Sequence, residues 1–560
     1  MQTDFSNRRV LSVKRFGDLR QAIASVSRLF CLILAIIFLI TIFPPGILFS
    51  QGEDAKLIKP TNLVRLNFVG DILLASRVGD LIRAEGPLAP WKGVLDILRD
   101  ADFTIGNLEC AVGTTGTPAP GKEYTFRAAP ESLAGLKEAG FDLVSLANNH
   151  TLDYGVECLL ETVENVRKYG IIPVGAGKDE ATARAPVILE KNGIKIGVLA
   201  TTMIVPVPEW AAKGDRPGLA VDYSGWFTNI ESRLKELSSQ ADISVVLIHW
   251  GEERKTTPES WVLKIESALR RAGADIIIGT HPHVLRGFRY DGKTLTAHSL
   301  GNFVFTTRPE IPACQIGAIL QVTVSREKVE NVTVVPTKIV WGRTVLMEGR
   351  EKDEILSTLS SLTRPFGADI DPAGNVYEML FDDTKDHWAR FYIARLARKG
   401  MVQGYGDGKF GPDRRVTRAE FAAMLARALA PEEEISRSKV PEGFSLCQES
   451  HWAYKYLSYL VAIGTLPREN PSWNPDELCS REEACILMWR AKRSPDPPDS
   501  SKKPFSDLAN LDAESLNAVL WCADSGLING YEDGTFRPST GITRAESAAV
   551  ITRFLGLSGF

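Results

Sequence analysis

The stretch Ile276-Ile277-Ile278-Gly279-Thr280-His281-Pro282-His283 decides how this chain is read. Its β-branched apolar run predicts a buried strand that Gly279 ends. The following turn presents His281 and His283 from the strand's carboxyl edge. Two imidazoles two positions apart can address one divalent ion from a loop, whereas a helix would send them to different faces. A surface His-Pro-His turn that is merely solvated fits this stretch equally well, so the rest of the chain has to decide.

Working outward, four polar clusters also follow predicted strands. Gly70-Asp71 follows 66–69, and Asn107-Leu108-Glu109 follows 103–105. Asn148-Asn149-His150 follows 143–146, and His249-Trp250-Gly251 follows 245–248. A single Asp after a strand is usually a turn residue or a cap. Five such clusters in order suggest instead a mixture of carboxylate, amide and imidazole that suits zinc, manganese or iron. The chain has seven histidines, and His150, His249, His281, His283 and His298 all fall in this region.

From 63 to 347, β-rich runs (64–68, 103–105, 143–146, 171–174, 196–199, 243–248, 276–278, 294–297) alternate with helical patterns (130–139, 155–169, 226–239, 258–272). That order predicts an α/β domain with its site at the carboxyl ends of the strands. Runs 316–324 and 329–336 have no helix between them and predict an antiparallel part of the sheet. Before this domain, a basic segment (1–28) precedes an apolar run (29–49). The run is long enough to span a bilayer, so a membrane anchor or a signal sequence is expected, with everything after it exported.

Residues 348–377 read as a linker. Beyond them the chain repeats: Phe410-Gly-Pro412, Trp473-Asn-Pro475 and Phe536-Arg-Pro538 are spaced by 63 residues, as are Thr417-Arg418-Ala419-Glu420, Ser480-Arg481-Glu482-Glu483 and Thr543-Arg544-Ala545-Glu546. A fixed period predicts supersecondary units that bury their apolar faces on one another, here at 378–430, 445–493 and 504–557. With 560 residues, 44% hydrophobic and 24% charged, the composition is that of globular domains. The net charge of −4 and the lack of a basic, aromatic-interleaved stripe give no reason to expect nucleic acid. The eight cysteines form no CxxC pair, so neither a zinc ribbon nor a disulfide framework is expected.

On Gly70-Asp71, Asn107-Leu108-Glu109, Asn148-Asn149-His150, His249 with Gly251 and Glu252, His281-Pro282-His283 and Ser299-Leu-Gly-Asn-Phe303, the segment 63–347 resembles the CapA family of poly-γ-glutamate capsule biosynthesis proteins. The resemblance implies a layered αββα sandwich related to calcineurin-like metallophosphoesterases. It implies one or two divalent ions (Mn, Zn or Fe) held by Asp71, Glu109, Asn149, His249, His281 and His283. His150 would be the general acid, and Asn107, Asn148 and Asn302 would contact substrate, a capsule polymer or its precursors. Leu73 stands where the wider superfamily has the histidine of Asp-x-His.

The repeats resemble S-layer homology modules through Gly404-Tyr405-Gly406-Asp407-Gly408-Lys409-Phe410 and Gly530-Tyr531-Glu532-Asp533-Gly534-Thr535-Phe536. That resemblance implies a threefold prism of helix pairs binding a pyruvylated secondary cell-wall polysaccharide. Arg418, Arg481 and Arg544 offer the planar donor fork that a carboxylate needs. Trp388, Trp452, Gly404 and Gly530 complete the expected wall-binding set. The middle repeat lacks the Gly-Tyr-x-Asp-Gly loop, which makes Arg481 the weakest of the three on this reading. Together these features describe a surface protein acting on capsule polymer, or an inactive tether between membrane and wall.

Overall fold

The computed structural model describes residues 62–223, 228–306, 310–470, 472–496 and 504–557. The expected basic segment and anchor (1–49) lie outside them, and no helix among the described residues is long and apolar enough to cross a membrane.

Two sheets face each other. The first runs in the order Arg343–Leu346, Val329–Val340, Ile316–Val324, Val64–Ile72, Phe103–Leu108, Phe141–Ser145 and Ile172–Val174, with Asn302–Val304 also joined to Val64–Ile72. Its four strands from Val64–Ile72 to Ile172–Val174 are parallel, and the other long strands are antiparallel. The second sheet runs Phe288–Tyr290, Leu295–Ala297, Ile276–Thr280, Ile243–His249, Ile194–Thr202 and Val187–Lys191. It is parallel in the middle and closed by a hairpin at each edge.

The inner faces share one core containing Leu66, Phe68 and Leu320 from the first sheet and Ile196, Val245 and Ile278 from the second. Helices Ser76–Glu85, Ser132–Glu138 and Gly155–Lys168 cover the outside of the first sheet. Thr228–Leu237 and Ser260–Arg271 cover the second. The layer order is therefore αββα. Both faces of the central strands are covered, which is why they read as unbroken apolar runs instead of alternating ones.

Residues 348–377 are not a linker. They form helix Gly349–Thr363 and the hairpin Ala368–Ile370/Val376–Glu378. Leu356, Leu359, Ala368, Ile370 and Val376 enter the core between the sheets. The charged helix face and the Pro/Gly content hid an apolar stripe that the sandwich needs as a lid.

The repeats form a closed triangle. Each second helix packs on the first helix of the next repeat: Arg418–Leu429 on Tyr454–Ala462, Arg481–Ala491 on Ala513–Asp524, and Arg544–Phe554 on Arg390–Arg398. At the axis, three backbone bonds close a ring: Val416 N–H to Ile542 O, Ile542 N–H to Cys479 O, and Cys479 N–H to Val416 O. Thr417, Ser480 and Thr543 each build a capping box with the glutamate three residues on. A further orphan N–H of each helix start is met by a proline carbonyl of the next repeat: Ala419 by Pro475, Glu482 by Pro538, and Ala545 by Pro412. The motifs recur every 63 residues because each repeat caps its neighbour.

Candidate metal centre and wall-binding grooves

The metal-ligand candidates meet where the carboxyl ends of both sheets come together. Asp71 lies in the last turn of strand Val64–Ile72, where the ladder slips register. Gly70 before it is required, because a Cβ there would lie 1.8 Å from Gly301 O. Asn107 is the penultimate residue of the neighbouring strand Phe103–Leu108, and Glu109 follows its end directly. From the second sheet, His249 is the last residue of Ile243–His249. His281 and His283 leave Ile276–Thr280 with φ of 96° and 57°, a left-handed backbone uncommon outside glycine and characteristic of strained functional turns.

Two overlapping trios result, Glu109/His249/His281 and Asp71/Glu109/His283, each with ligand atoms within 4.8 Å of one another. Glu109 belongs to both. The histidine pair of the opening stretch divides between these two trios and meets again in a third, Glu253/His281/His283, whose ligand atoms also lie within 4.8 Å of one another. Asn149 adds an amide oxygen 3.0 Å from His249 Nε2.

The surrounding groups orient these ligands. Asn107 donates to Asp71 at 2.9 Å, Asn148 donates to Asn107 at 3.1 Å, and Asn302 Oδ1 lies 2.9 Å from His283 Nδ1. Thr280 Oγ1 lies 3.0 Å from His249 Nδ1. Asn107, Asn148 and Asn302, expected to contact substrate, are buried, and their amides bond protein groups, including Leu108 O and Cys314 O. Leu73 is fully buried in the core and offers the site nothing.

The electrostatics of the cluster suit a cation. Both oxygens of Glu109 are buried without a hydrogen-bond donor, and so is Nδ1 of His281. Burial and the Asp71 charge hold Glu109 well above the usual carboxylate range. Burial opposes ionisation of Asp71, but its bond to His283 and the charge there pull it below its ordinary value. Burial and the His283 charge push His281 down to about 3, and burial with both neighbouring imidazoles pushes His249 well below its usual range. Burial favours the neutral form of His249 and His281, the form that ligates a metal, while the bond to Asp71 raises His283. An uncompensated buried carboxylate is otherwise costly. The donor set fits a divalent ion.

His150 stands beside this cluster. Its Nδ1 lies 2.7 Å from Asp153 Oδ2, and Lys122 bonds both Asp153 and the Asn149 carbonyl. Sequence reasoning missed Lys122, which sits in a loop with no local signal, and Asp153, whose three-residue offset from His150 was legible. It also missed Glu253, whose carboxylate lies with His281 and His283 within 4.8 Å. Glu252, the residue singled out instead, pairs with Lys255 at the surface.

In the repeats, each arginine meets the loop of the following repeat. Arg481 donates to Phe536 O and Asn529 O at 3.0 and 2.8 Å, and Arg544 to Phe410 O and Gln403 O at 2.8 and 2.7 Å. Each lies over a tyrosine of that loop, Tyr531 at 4.9 Å and Tyr405 at 4.8 Å. Arg418 faces the degenerate middle loop and instead pairs with Glu483 and Glu477. Arg481 also pairs with Glu546 at 3.2 Å, while Arg544 has no carboxylate partner among the described residues. Gly404 and Gly530 make room for protein and not for a ligand: a Cβ would strike Phe381 at 2.5 Å and Phe505 at 2.2 Å. Trp388 and Trp452 are half-exposed at the starts of their helices.

The described chain is thus a layered α/β domain with a two-trio ligand cluster at its sheet edges, followed by a threefold stack of helix pairs. Residues 65–307 match the family of the bacterial capsule synthesis protein PGA_cap, and 380–422 and 504–548 match the S-layer homology domain. The first segment is homologous to the CapA capsule biosynthesis proteins. It is 34% identical over 246 residues to the PGA biosynthesis protein CapA of Bacillus subtilis, covering 44% of this chain and 64% of that protein. It is 30% identical over 243 residues to the capsule biosynthesis protein CapA of Bacillus anthracis, covering 43% and 59%. The chain thus spans about three-fifths of these relatives. Among solved structures, the NAD nucleotidase of Haemophilus influenzae aligns at 14% identity and a TM-score of 0.31, covering 66% of this chain and 71% of that one. The middle repeat lies outside the two matched S-layer segments, yet it has the same helix pair and capping box.

Proposed function

We propose that this is a wall-attached, CapA-like surface protein whose α/β domain is a metal-dependent hydrolase acting on capsule polymer or its precursors. The observation that carries the reading is Glu109, a fully buried carboxylate without a donor shared by two histidine-containing trios. Asp71, Glu109 and His283 would hold one ion, and Glu109, His249 and His281, with Asn149 beside them, a second. When bound, the metal supplies Lewis acidity and a water acidified toward neutrality. Asn107 and Asn302 fix the ligand orientations, as outer partners do in metal sites. Trp250, fully buried in the core under the outer helices of the second sheet and bonded through its indole to His298 O, anchors the loop that follows His249. The reaction class is hydrolysis of a phosphoester or of a polymer amide. The repeats fix the protein to wall polysaccharide, with arginines, tyrosines and exposed tryptophans as the recognition groups.

The test uses the purified full chain: elemental analysis before and after chelation, then phosphodiester and poly-γ-glutamate hydrolysis with the metal restored. Stoichiometric zinc, manganese or iron, lost in Glu109→Gln, with chelator-sensitive turnover, is the expected result. Stoichiometric metal with no turnover on either substrate class would favour a scaffold over an enzyme. Absence of metal in the wild type would overturn the centre itself.

A further inference from the structure

Glu253 is absent from the ligand set expected from sequence, and the backbone places it with unusual care. The Trp250 N–H donates to Thr280 O at 3.1 Å, and the Arg254 N–H to Pro282 O at 2.8 Å, so the loop after His249 is stitched to the His281-Pro282-His283 turn on both sides. Arg254 takes φ 64° to make that contact. Arg286, fully buried, clamps the same loop through Lys255 O at 2.7 Å, Glu252 O at 3.0 Å and the Glu259 carboxylate. Gly251, at φ 88°, leaves room for that guanidinium, because a Cβ there would lie 2.5 Å from Arg286 Nη1.

The clamped loop carries two adjacent glutamates with different fates. Glu252 is neutralised by Lys255. Glu253 has no ion pair or hydrogen bond among the described residues, yet its carboxylate falls within 4.8 Å of ligand atoms on both His281 and His283. Metal–ligand bonds of about 2.0–2.2 Å place ligands of one ion up to about 4.4 Å apart, so small adjustments suffice. The buried, unpartnered Nδ1 of His281 is an independent sign that this side of the cluster lacks a partner. An exposed glutamate is ordinarily just solvated. Here the backbone stitching and the unpartnered histidine argue otherwise.

We propose that Glu253 is a solvent-side metal ligand, a second carboxylate reaching the two-ion centre between His281 and His283. The inference rests on the metal centre proposed above. Glu109 holds the ions from the buried floor and Glu253 from the open mouth, where an anionic substrate group must enter. Asp71, Glu109 and Glu253 together leave two divalent ions with a net charge of about +1, which keeps the mouth attractive to an anion.

The test is metal binding by the full chain, read by elemental analysis and by calorimetric titration of the chelated protein with Mn²⁺ or Zn²⁺, for wild type, Glu253→Gln and the neighbouring control Glu252→Gln. The expected result is that E253Q weakens one of two metal affinities by at least about tenfold while E252Q binds as wild type. Equal binding by E253Q and wild type would overturn the assignment, and so would equal losses in both variants, which would show only a general charge effect. A wild type that binds no metal would overturn the centre along with it, so the two failures are distinguishable. Glu253 is exposed, so thermal melts should match and exclude misfolding as the cause.

Discussion

His150 illustrates how much a single residue's neighbours decide. Burial lowers its pKa, and the Asp153 carboxylate offsets part of that. A neutral imidazole donating Nδ1–H to Asp153 presents Nε2 as an acceptor. At rest, then, His150 takes a proton more readily than it gives one, and it serves as the expected acid only later in a cycle. His150→Gln should retain metal but lower turnover by about 10²–10⁴-fold, the usual share of a positioned acid–base. Because the neutral form is the resting form, wild-type activity should fall on acidification below the ordinary histidine range, and that limb should vanish in the variant. Loss of metal with activity would make His150 a ligand instead. Residues of this kind were legible in the sequence where the chain itself delivers them: Asp71, Glu109, His249, His281 and His283 each lie at or just past the carboxyl end of a strand. Lys122 and Glu253 were not, because tertiary contacts alone bring their loops to the site.

At the scale of elements, the repeats show where periodicity informs and where it misleads. The 63-residue spacing located all three units, including the middle one. It also suggested that a missing loop weakens its own repeat's arginine. Ring closure shifts the consequence by one unit: the middle loop faces Arg418, while Arg481 and Arg544 lie against intact loops. Arg418 is already paired with two glutamates, and Arg544 with no carboxylate among the described residues. Binding to purified wall polysaccharide should therefore fall most in Arg544→Ala, next in Arg481→Ala and least in Arg418→Ala. The largest loss should be of order tenfold, about 1.4 kcal/mol, in keeping with one charge-assisted bond. Lysine should restore little, since a point charge lacks the bidentate fork. Binding isotherms alongside melts check this, and a ranking led by Arg418 would contradict the shifted pairing.

For the whole molecule, the segment read as a linker is what joins sandwich to repeats. Asp369, 2% exposed on the hairpin, accepts from Arg364 at 3.2 Å on the preceding turn and from Arg390 at 2.8 Å on the first repeat helix. Arg398, from the same helix, reaches back to Tyr290 and to Val329 O in the sandwich. The apolar side of this segment lies in the sandwich core and its polar side grips the first repeat, so the joint is rigid where a charged connector would be loose. Sequence could not show this, because its Asp and Arg residues are ordinary surface types until the fold buries them together. Removing Asp369 takes a buried shared acceptor from two partly exposed guanidinium groups, a loss of about 1–3 kcal/mol for hydrogen bonds to a charged group. Asp369→Ala should therefore split calorimetric unfolding into separate sandwich and repeat transitions, with metal raising only the first, and should speed proteolysis between 363 and 390. Asp386→Ala removes a largely exposed partner of Arg364 and serves as the control. An unchanged unfolding profile in Asp369→Ala would mean that apolar packing of the hairpin, and not its buried charge network, holds the two parts together.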